Sequence, residues 1–531
     1  MPDPNASRPP WFLLERLAGI DAMREMDRQA IESIGLPGRL LMENAAGAVA
    51  GRLCEILKEK GVEGPVAVCC GGGNNGGDGY AVARLLANRG LEVTVIALGT
   101  PSGGDAKANA EVWRHFGPTL DWSKDSGPAE ACLEQAAVVV DALFGTGLKR
   151  PIAGEAEGLI RGINGGNTGD SRPVIGVDIP SGIHADTGQV LGVAVQCTHT
   201  VSFQVGKPGC HQHPGAAHAG AVEVAPISIP VQWPADDPGT YRLTEAFIRA
   251  ILPERPVAGH KGTFGHVLAV VGSAGMGGAA SLAGRAALKI GSGLVTLGVP
   301  GCLRDRFLDD APELMTLSSP EGTKEFFAGE QAEGMIEAAS SRNATVLGCG
   351  LGRHPDTAPF VRALVEKIPT PLLIDADGLY PLNPADLQAR KSPTVLTPHP
   401  GELARLAEME RESIAAERLG TARRLAKEWG VVLVLKGALT VIGDPEGRVF
   451  INPTGDAGLA TGGTGDVLSG MIGGLMAQGL EPLAATLAGV YLHGLARDVQ
   501  RDRISEEAFT AGDLLGGIDP ALRQVIAARA G

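Results

Sequence analysis

A glycine-rich run that ends in an aspartate gives the chain its strongest chemical signal. It extends from Asn452 to Asp466 and closes with Thr461-Gly-Gly-Thr-Gly-Asp. At the start of a helix, such a run presents several free backbone N–H groups to phosphate oxygens. The aspartate can accept the proton of a hydroxyl that attacks a phosphoryl group. No Gly-Lys-Ser/Thr follows, so this is not a Walker loop, and a glycine-rich turn without function is the weaker interpretation.

Other polar residues follow predicted strands in the same half of the chain. Lys436–Thr440 could contact a nucleotide phosphate, although a lysine at a strand end is usually only solvated. His399 lies between two prolines, which restrict its backbone. The carboxylates of Asp375 and Asp377 could help to hold magnesium indirectly, or one of them could cap a helix.

A second glycine-rich loop, Asn74-Asn-Gly-Gly-Asp-Gly79, joins a buried strand to a helix in the N-terminal half. Its backbone N–H groups are suited to a pyrophosphate or a ribose. The loop does not match the G-x-G-x-x-G dinucleotide pattern. The residues alone therefore predict a general phosphate-binding loop, with an ordinary Asn/Gly turn as the alternative.

Two aspartates, Asp141 and Asp178, end predicted strands of this half, and Ser181 follows the second. Because open α/β sheets bind ligands at the carboxyl ends of their strands, we expect these residues to share one pocket with the Asn74 loop. Their oxygen atoms could also coordinate a weakly held cation. The alternative is that the aspartates are structural caps.

Composition restricts the classes of function. The chain has 60 acidic and 46 basic residues, a formal net charge of −14, so a nucleic-acid partner is not expected. An anionic ligand must then rely largely on backbone amides and helix N-termini. The eight cysteines form no Cys-x-x-Cys pair, and no apolar run is long enough to span a membrane. We expect a reduced, cytoplasmic protein without a membrane partner.

The elements that must position these residues alternate between strand and helix. This alternation predicts an α/β fold with mostly parallel sheets covered on both faces. A further strand is predicted at 195–203. Prolines at 226, 230, 234 and 238 mark a linker. We therefore divide the chain into an N-terminal domain over 1–230, with an extension over 1–17, a linker over 231–240 and a C-terminal domain over 241–531. An apolar helical stripe over 22–34 favours packing, and we expect a homo-oligomer.

Residues 18–225 resemble the NAD(P)HX epimerase family, also called the YjeF N-terminal domain. The shared stretches are Leu41-Met-Glu-Asn-Ala45, the Asn74–Gly79 loop, Asp141–Gly147 and Asp178–Gly182. The resemblance implies that Asp178 faces the altered ring. Epimerisation needs an acid/base group there, and we expect Asp178 to be that catalytic group. Lys149 is a weaker helper, with a solvated loop lysine as the alternative. The resemblance also implies K⁺ binding by Asn75, Asp141 and Ser181. The implied contacts to the hydrated dinucleotide are Asn74, Asn75, Gly76, Gly77, Asp78, Gly145, Thr146, Gly147, Leu148, Lys149, Arg150 and Pro151.

Residues 241–531 resemble the ADP/ATP-dependent NAD(P)H-hydrate dehydratase family. The shared pieces are His260-Lys-Gly, Gly265-His-Val-Leu, Gly278-Ala279, Gly350-Leu-Gly352, Asp375-Ala-Asp377-Gly, Thr397–Glu402, Lys436-Gly-Ala and Asn452–Asp466. The resemblance implies that Ala279, Gly352, His399 and the catalytic Asp466 contact the hydrated cofactor. It implies adenine-nucleotide contacts from Lys436, Gly437, Ala438, Leu439, Thr440 and Gly465. The family usually has Asn where this chain has Asp456, which leaves the role of that side chain open.

Together the resemblances imply two three-layer αβα domains, Rossmann-like and then ribokinase-like. They imply a bifunctional enzyme that epimerises R and S NAD(P)HX and dehydrates the S form, with Mg²⁺ and ADP or ATP. ADP, giving AMP and phosphate, is the expected donor. One alternative is a ribokinase-type small-molecule kinase, against which the N-terminal domain argues. Another is a non-catalytic N-terminal domain, against which Asp178 and the intact Asn74 loop argue. The choice between NADHX and NADPHX stays open.

Overall fold

The computed structural model describes residues 10–101, 103–165, 172–231, 233, 237–307, 311–318 and 325–527. The chain forms two compact units, one of Arg16–Asp237 and one of Met1–Glu15 with Pro238–Gly531. The start of the chain therefore differs from the predicted N-terminal extension over 1–17. A 3₁₀ helix at Trp11–Leu13 packs its Trp11 ring on Phe247 of the C-terminal unit, 5.6 Å between ring centroids. Strand β1 follows at Glu15–Leu17. Residues 1–9, and residues 232 and 234–236 of the predicted linker, lie outside the described part.

The Arg16–Asp237 unit contains a seven-stranded parallel sheet with the order β4-β3-β2-β5-β6-β7-β8. Its strands are β2 (Val66–Gly71), β3 (Val93–Leu98), β4 (Thr119–Asp121), β5 (Val138–Ala142), β6 (Val174–Val177), β7 (His199–Phe203) and β8 (Ala221–Ala225). Its helices are α1 (Ile20–Arg28), which continues as a π-helical turn (Gln29–Ser33), α2 (Gly38–Lys60), α3 (Asn74–Asn88), α4 (Gly104–Trp113), α5 (Ser126–Gln135), α6 (Glu155–Gly165), a 3₁₀ turn (Pro208–His211) and α7 (Gly215–Ala219).

Alternate residues of each buried strand supply two separate cores. In β2, Val66, Val68 and Cys70 join the cluster that includes α2 and α3, whereas Ala67 and Cys69 join the cluster that includes α5 and α6. Both faces of the sheet are thus covered by helices, as expected for a parallel sheet. This confirms the predicted three-layer α/β arrangement for this unit.

The C-terminal unit is built on a mixed eleven-stranded sheet with the order β1-β9-β18-β17-β16-β15-β14-β13-β10-β11-β12. Its remaining strands are β9 (Thr240–Arg242), β10 (His266–Val270), β11 (Leu294–Gly298), β12 (Met315–Leu317), β13 (Ala344–Leu347), β14 (Leu372–Ile374), β15 (Thr394–Leu396), β16 (Val432–Leu435), β17 (Val441–Gly443) and β18 (Val449–Ile451). Strands β10 to β16 pair in parallel, whereas β17 is antiparallel to both of its neighbours.

Helices cover both faces of this sheet as well. They are α8 (Glu245–Ile251), α9 (Gly277–Lys289), α10 (Ala332–Ser340), α11 (Thr357–Lys367), α12 (Pro384–Gln388), α13 (Pro400–Ala407), α14 (Arg411–Ala416), α15 (Arg418–Trp429), α16 (Thr464–Ala477), α17 (Pro482–Asp498) and α18 (Ala511–Ala527). In β10, Val267 and Ala269 face the core with α9 and α16, and Leu268 and Val270 face the core with α11 and α15. The three-layer prediction is confirmed here too.

Strand order reverses at β2 in one sheet and at β10 in the other, and these two reversals position the candidate sites. In the N-terminal unit, β3 and β4 lie on one side of β2, and β5 to β8 lie on the other. In the C-terminal unit, β11 and β12 lie on one side of β10, and β13 to β16 lie on the other. Loops that leave adjacent strands in opposite directions open a crevice at the carboxyl ends. The residues singled out from the sequence follow β2, β5 and β6 in one unit, and β10, β13, β14 and β15 in the other.

One predicted strand is shorter than expected. The sequence predicted a strand over 195–203, but β7 begins at His199. The N–H of Val195 donates to Ser181 O, and the N–H of Cys197 donates to His218 O. Those loop hydrogen bonds replace a strand ladder in the first half of the segment.

No helix among the described residues combines the length and the apolar character that a bilayer crossing needs.

Small residues let α16 pack closely on α9 and on the sheet. A Cβ added at Gly470 would lie 2.1 Å from the backbone oxygen of Ala283, and one at Gly473 would lie 2.3 Å from Val346 Cγ2. Backbone atoms of a packed helix cannot move aside without disturbing their own hydrogen bonds. Gly470 therefore fixes the distance between α16 and α9, and with it the position of the Gly462–Asp466 run at the start of α16.

We expect Gly470→Ala to destabilise the protein by about 1–3 kcal/mol, because the new methyl group overlaps a backbone carbonyl. The measurement is chemical denaturation of the full chain. Gly516→Ala on α18 is the matched control, since nothing lies within 4 Å of its added Cβ. It should stabilise by about 0.5–1 kcal/mol through helix propensity. Equal effects of the two substitutions would contradict this account of the helix contact.

Candidate functional site

A cavity of about 950 Å³ lies in the N-terminal unit at the carboxyl ends of β2, β5 and β6. The residues predicted from the sequence that line it are Asn74, Asn75, Asp78, Gly145, Thr146, Gly147, Leu148, Lys149, Arg150 and Asp178. Gly76, Gly77 and Pro151 are not among its lining residues. The structure thus brings the Asn74 loop, the 145–150 loop and Asp178 to one cavity, as the strand-end argument predicted.

Gly76 does not line the cavity, but it permits the tight turn that positions α3 beside it. A Cβ on Gly76 would lie 1.8 Å from the oxygen of Gly71, the last residue of β2. The chain can therefore turn directly from β2 into α3 only with glycine at this position. The tight turn places the first turn of α3, which begins at Asn74, at the cavity. First-turn N–H groups have no acceptor within the helix and are available to an anion.

Asp178 is held in a strained turn directly after β6. Its φ is 68°, which is rare for a residue other than glycine and costs about 1–3 kcal/mol. Its Oδ1 accepts hydrogen bonds from the N–H of Phe203, at 2.9 Å, and from Nζ of Lys207. Among the described residues these bonds go to Oδ1 alone, so Oδ2 is left for a ligand in the cavity. The surrounding contacts fix both the position and the orientation of this carboxylate.

Lys207 was missed by the sequence analysis. Its side chain is 1% exposed, and its Nζ donates to Asp178 and, at 2.7 Å, to Phe203 O. A lysine this deeply buried requires an anionic partner, and here the partner is the candidate acid/base residue. The only signal in the sequence is a lysine four residues beyond a predicted strand end, which is too common to single out.

Two more carboxylates lie near Asp178. Burial raises the pKa of Asp78 well above its ordinary value, and the negative charges of Asp178 and Asp27 raise it further. Burial also raises the pKa of Asp27, together with the charge of Asp178 and against the charge of Lys207. Asp27, which lines the cavity from α1, was not predicted. The cluster therefore favours retaining a proton close to an ionised carboxylate.

Asp141 and Ser181 meet beside this cavity, and Asn75 lies next to Gly145 of the facing loop. Ser181 donates to the fully buried Asp141, from its N–H to Oδ2 at 2.8 Å and from its hydroxyl to Oδ1 at 2.6 Å. The hydroxyl of Ser181 also accepts from the N–H of Phe144, at 2.8 Å. Asn75 Oδ1 is 3.3 Å from the point that a Cβ on Gly145 would occupy. Burial raises the pKa of Asp141 to about 6, despite the hydrogen bonds from Ser181 and Leu143 that lower it.

In the C-terminal unit, the buried Asp375 links several predicted residues. Lys436 Nζ donates to its Oδ1 at 2.8 Å, and the Ser469 hydroxyl donates to its Oδ2 at 2.8 Å. Glu402 Oε2 lies 3.9 Å from Lys436 Nζ. A Cβ on Gly465 would be 3.5 Å from the same Nζ, so the glycine run reaches the lysine. The glycine run, Lys436 and the carboxylate at the end of β14 are therefore neighbours, as predicted.

Asp466 lies in the first turn of α16 and is partly exposed. Burial raises its pKa to about 6, the charge of Asp375 adds to this, and the thiol of Cys349 donates a hydrogen bond that lowers it. A carboxylate with a pKa near 6 is ionised at neutral pH and is basic enough to accept a proton efficiently. Cys349, which follows β13, was not anticipated from the sequence.

Asp377 and His399 stabilise the loops around them. Asp377 Oδ2 accepts from the N–H of Gly352 at 3.0 Å, and its Oδ1 accepts from Arg353 Nε at 2.9 Å. His399 Nδ1 accepts from the N–H groups of Gly401 and Glu402, so the imidazole caps α13. Ala279, a predicted contact, lies near Gly350. A Cβ added to Gly350 would be 2.9 Å from the Cβ of Ala279.

The Lys436–Thr440 loop is fixed by a residue that the sequence analysis missed. Arg418 donates to the backbone oxygens of Leu435 and Ala438, at 3.3 Å and 3.1 Å. Within the loop, Thr440 Oγ1 donates to Gly437 O at 3.0 Å, and Leu439 has a φ of 51°. The loop backbone is thus constrained before any nucleotide binds.

Asp456 stabilises the glycine-rich run through hydrogen bonds and ion pairs. It accepts hydrogen bonds from Arg497 Nε at 2.7 Å, from Arg501 Nε at 2.9 Å and from the N–H of Gly458 at 2.9 Å. Burial opposes ionisation of Asp456, but these hydrogen bonds outweigh it and lower the pKa. The carboxylate that replaces the family's usual Asn is therefore part of a structural ion-pair network with Arg497 and Arg501.

Two family models match the chain. The model described as NAD(P)H-hydrate dehydratase matches residues 267–515, and the model described as YjeF-related protein N-terminus matches residues 38–209. A protein of Moorella thermoacetica named bifunctional NAD(P)H-hydrate repair enzyme Nnr is 41% identical over 511 residues, covering 95% of this chain and 96% of that protein. The protein of the same name from Escherichia coli is 34% identical, covering 93% and 91%.

A solved structure is similar to the C-terminal part of the chain. It is the ADP/ATP-dependent NAD(P)H-hydrate dehydratase from Bacillus subtilis, co-crystallised with ATP/Mg²⁺. The two are 32% identical with a TM-score of 0.46, and the match covers 53% of this chain and 97% of that protein.

The pKa of Asp456 is lower in the folded protein than in the unfolded chain. Ionised Asp456 therefore stabilises the folded protein at pH values above its unfolded pKa. This stabilisation is lost as the pH falls through its folded pKa. We expect Asp456→Asn to destabilise the protein by about 1–3 kcal/mol at pH 7. The difference should shrink as pH falls below about 4. Urea denaturation between pH 3.5 and 7 measures it, with Asp519→Asn, an exposed partner of Arg523, as control. A pH-independent difference would refute the ion-pair explanation.

Proposed function

The chain belongs to the family of bifunctional NAD(P)H-hydrate repair enzymes, and we propose that it restores hydrated nicotinamide cofactors in two steps. One step epimerises R and S NAD(P)HX, and the other dehydrates S-NAD(P)HX at the expense of an adenine nucleotide. One observation supports this most strongly. Each unit places an aspartate beside the N-terminus of a helix at the carboxyl edge of its sheet, Asp178 near α3 and Asp466 in α16.

Asp178 is the proposed acid/base group of the epimerase step. Inversion at a ring carbon that bears a hydroxyl needs a group that removes and returns a proton beside it. Lys207 and the Phe203 amide hold Oδ1, so Oδ2 can meet the ring hydroxyl. The raised pKa of Asp78 supplies a neighbouring carboxyl that can carry a proton. Lys149 lies exposed on the opposite loop and is a weaker candidate for a helper role.

The dinucleotide contacts are proposed along the same cavity. The first turn of α3, Asn74–Gly76, offers N–H groups to the diphosphate, and the 145–150 loop provides the facing wall, with Pro151 as the last proposed contact. Gly76 and Gly77 contribute through their backbone and through the close packing that they permit, because an added Cβ on either would overlap its neighbours.

Potassium fits the proposed site of Asn75, Asp141 and Ser181. All three supply oxygen donors, which suit a hard monovalent cation. Within the described residues, the fully buried Asp141 forms no ion pair that would offset its charge. A cation would neutralise this buried carboxylate and fix the Phe144 and Ser181 loops that border the cavity.

Asp466 is the proposed base of the dehydratase step. It accepts the proton of the ring hydroxyl while that oxygen bonds to the terminal phosphorus of the nucleotide, and the bond from phosphorus to the nucleotide oxygen breaks. Phosphate then leaves the ring carbon, a ring proton is lost, and the double bond returns. Hydroxide would be a poor leaving group, which is why the phosphoryl group is needed. Lys436 and the amides of the Gly462–Gly465 run can stabilise the charge on the transferred group.

The proposed nucleotide contacts are Lys436, Gly437, Ala438, Leu439, Thr440 and Gly465. ADP, giving AMP and phosphate, is the proposed donor. Among the described residues no group of three His, Cys, Asp or Glu side chains is arranged to hold a metal. Mg²⁺ therefore fits best through the nucleotide phosphates with help from Asp375 or Asp377, where it would offset phosphoryl charge.

The cellular location and the oligomeric state of the protein are two further predictions. A cytoplasmic location follows from composition and cysteine usage. A homo-oligomer follows from the apolar stripe near residues 22–34, where Ile31 and Ile34 are 44% and 50% exposed.

Asp178→Asn should leave dehydration of S-NAD(P)HX intact and abolish epimerisation above background, because the amide cannot accept the proton. With a mixed-epimer substrate, ADP and Mg²⁺, the variant should stop once the S epimer is consumed, whereas the native protein proceeds to completion. Absorbance of the reduced cofactor measures this. Asp121→Asn, outside the cavity, is the control. Complete conversion by Asp178→Asn would remove the assignment.

Dehydratase kcat should fall as pH decreases through about 6, because the pKa of Asp466 is raised to about 6 and only its ionised form acts as a base. The expected slope is about tenfold per pH unit below that value. Orthophosphate release from pH 5 to 8 gives the profile, and Asp466→Asn should lose at least about 10²-fold in kcat. A flat profile, or a stable phosphorylated product as from a kinase, would contradict the mechanism.

A further inference from the structure

The C-terminal unit contains a small cavity lined by three arginines, which we call the arginine pocket. It has a volume of about 270 Å³, and its lining residues are Arg353, Ala376, Tyr380, His399, Gly401, Glu402, Arg405 and Arg411. Glu402 is the single acidic residue among them. In a chain with a net charge of −14, three guanidinium groups around one small cavity form a local concentration of positive charge.

Two of these guanidinium groups are fixed by their surroundings. Arg353 Nε donates to Asp377 Oδ1 at 2.9 Å, and its Cζ lies 4.7 Å from the Tyr380 ring centroid. Arg405 donates to the backbone oxygen of Leu379 at 2.5 Å, and its Cζ lies 5.2 Å from the same ring. Tyr380 therefore holds both cations against one aromatic surface, which costs little entropy when a ligand binds.

Arg411 approaches the same cavity from the first residue of α14. A Cβ on Gly401 would lie 2.6 Å from its Nη2, so glycine at this position makes room for the guanidinium. Among the described residues Arg411 forms no ion pair. Burial lowers the pKa of Arg405, and the positive charge of Arg353 lowers it further, against the opposing influence of Tyr380 and Glu402. Like charges are thus crowded together in a way that a bound anion would relieve.

The arginine pocket is continuous with residues assigned to the substrate. His399 belongs to its wall, and Glu402 Oε1 lies 3.4 Å from His399 Nε2. Asp377, which holds Arg353, also accepts from the N–H of Gly352. Gly352 and His399 are both proposed contacts of the hydrated dinucleotide. The terminal phosphate of the nucleotide is already served by Lys436 and the glycine run at α16.

We propose that Arg353, Arg405 and Arg411 bind a phosphate group of the hydrated dinucleotide, an inference that rests on the proposed dehydratase function. Planar guanidinium groups pair with phosphate oxygens in a bidentate manner, which favours arginine over lysine at such a site. Two phosphate sources are present in the substrate class, the 2′-phosphate of NADPHX and the diphosphate common to NADHX and NADPHX. If the pocket binds the 2′-phosphate, it favours NADPHX over NADHX. If it binds the diphosphate, it does not distinguish the two substrates.

The test is steady-state dehydration kinetics of the full chain with ADP and Mg²⁺, using S-NADPHX and S-NADHX as separate substrates. Arg411→Gln is the informative variant, because its exposed side chain makes no described ion pair whose loss would disturb folding. Arg411→Lys tests the need for bidentate geometry and should give an intermediate effect. Arg523→Gln, an exposed arginine paired with Asp519 on α18, is the control.

We expect Arg411→Gln to raise KM for the dinucleotide by at least about tenfold, as for loss of one charged hydrogen bond, with KM for ADP unchanged. An increase confined to S-NADPHX supports the pocket and identifies the 2′-phosphate. An equal increase for both substrates supports it and identifies the diphosphate. Unchanged dinucleotide KM values, or a change in KM for ADP alone, would overturn the proposal. Absence of dehydration by the native chain would instead refute the proposed function itself.

Discussion

The reversal of strand order within the parallel part of each sheet is the constraint on which both candidate sites depend. In a parallel sheet every strand ends at the same edge, and loops from neighbouring strands diverge only where the order reverses. That point lies at β2 and β5 in the N-terminal unit, and at β10 and β13 in the C-terminal unit. The residues with useful chemistry, such as Asn75, Asp141 and Asp178, follow these strands or their neighbours. Close packing of glycines, as at Gly76 and Gly470, then brings the helices near enough to complete the sites.

The two units surround their proposed catalytic aspartates in different physical ways. Asp178 lies in a left-handed turn and is held by a buried lysine, so its position is fixed by contacts. Asp466 forms no direct ion pair with any cation in the described part of the chain. Burial and the nearby Asp375 raise its pKa to about 6, while Lys436 is occupied by Asp375. One carboxylate is defined chiefly by geometry, and the other chiefly by its electrostatic surroundings.

A strongly acidic chain that binds anionic ligands must concentrate its positive potential. Helix N-termini do so without net charge, and α3 begins at Asn74 and α16 at Thr464, within the two proposed binding sites. Arg353, Arg405 and Arg411 line one cavity together with Tyr380, and the first two lie over its ring. Elsewhere some basic side chains form structural ion pairs, as Arg497 does with Asp456. Charge at the sites is therefore local, and the net charge of −14 does not describe it.

The sequence by itself determined the α/β class, the two-part organisation and the glycine-rich loops with their neighbouring aspartates, because these depend on local periodicity and on motifs within a few residues. It also identified the family to which the full length of the chain is similar. It did not reveal that Trp11 packs on Phe247 of the C-terminal unit, which is a long-range contact. Nor did it reveal the partners that complete each site. Lys207 is 29 residues from Asp178, Ser469 is 94 residues from Asp375, and Arg353 and Arg411 meet only through the fold. Such pairs have no spacing rule, since the distance between them is set by how strands and helices pack, and only the tertiary structure decides it.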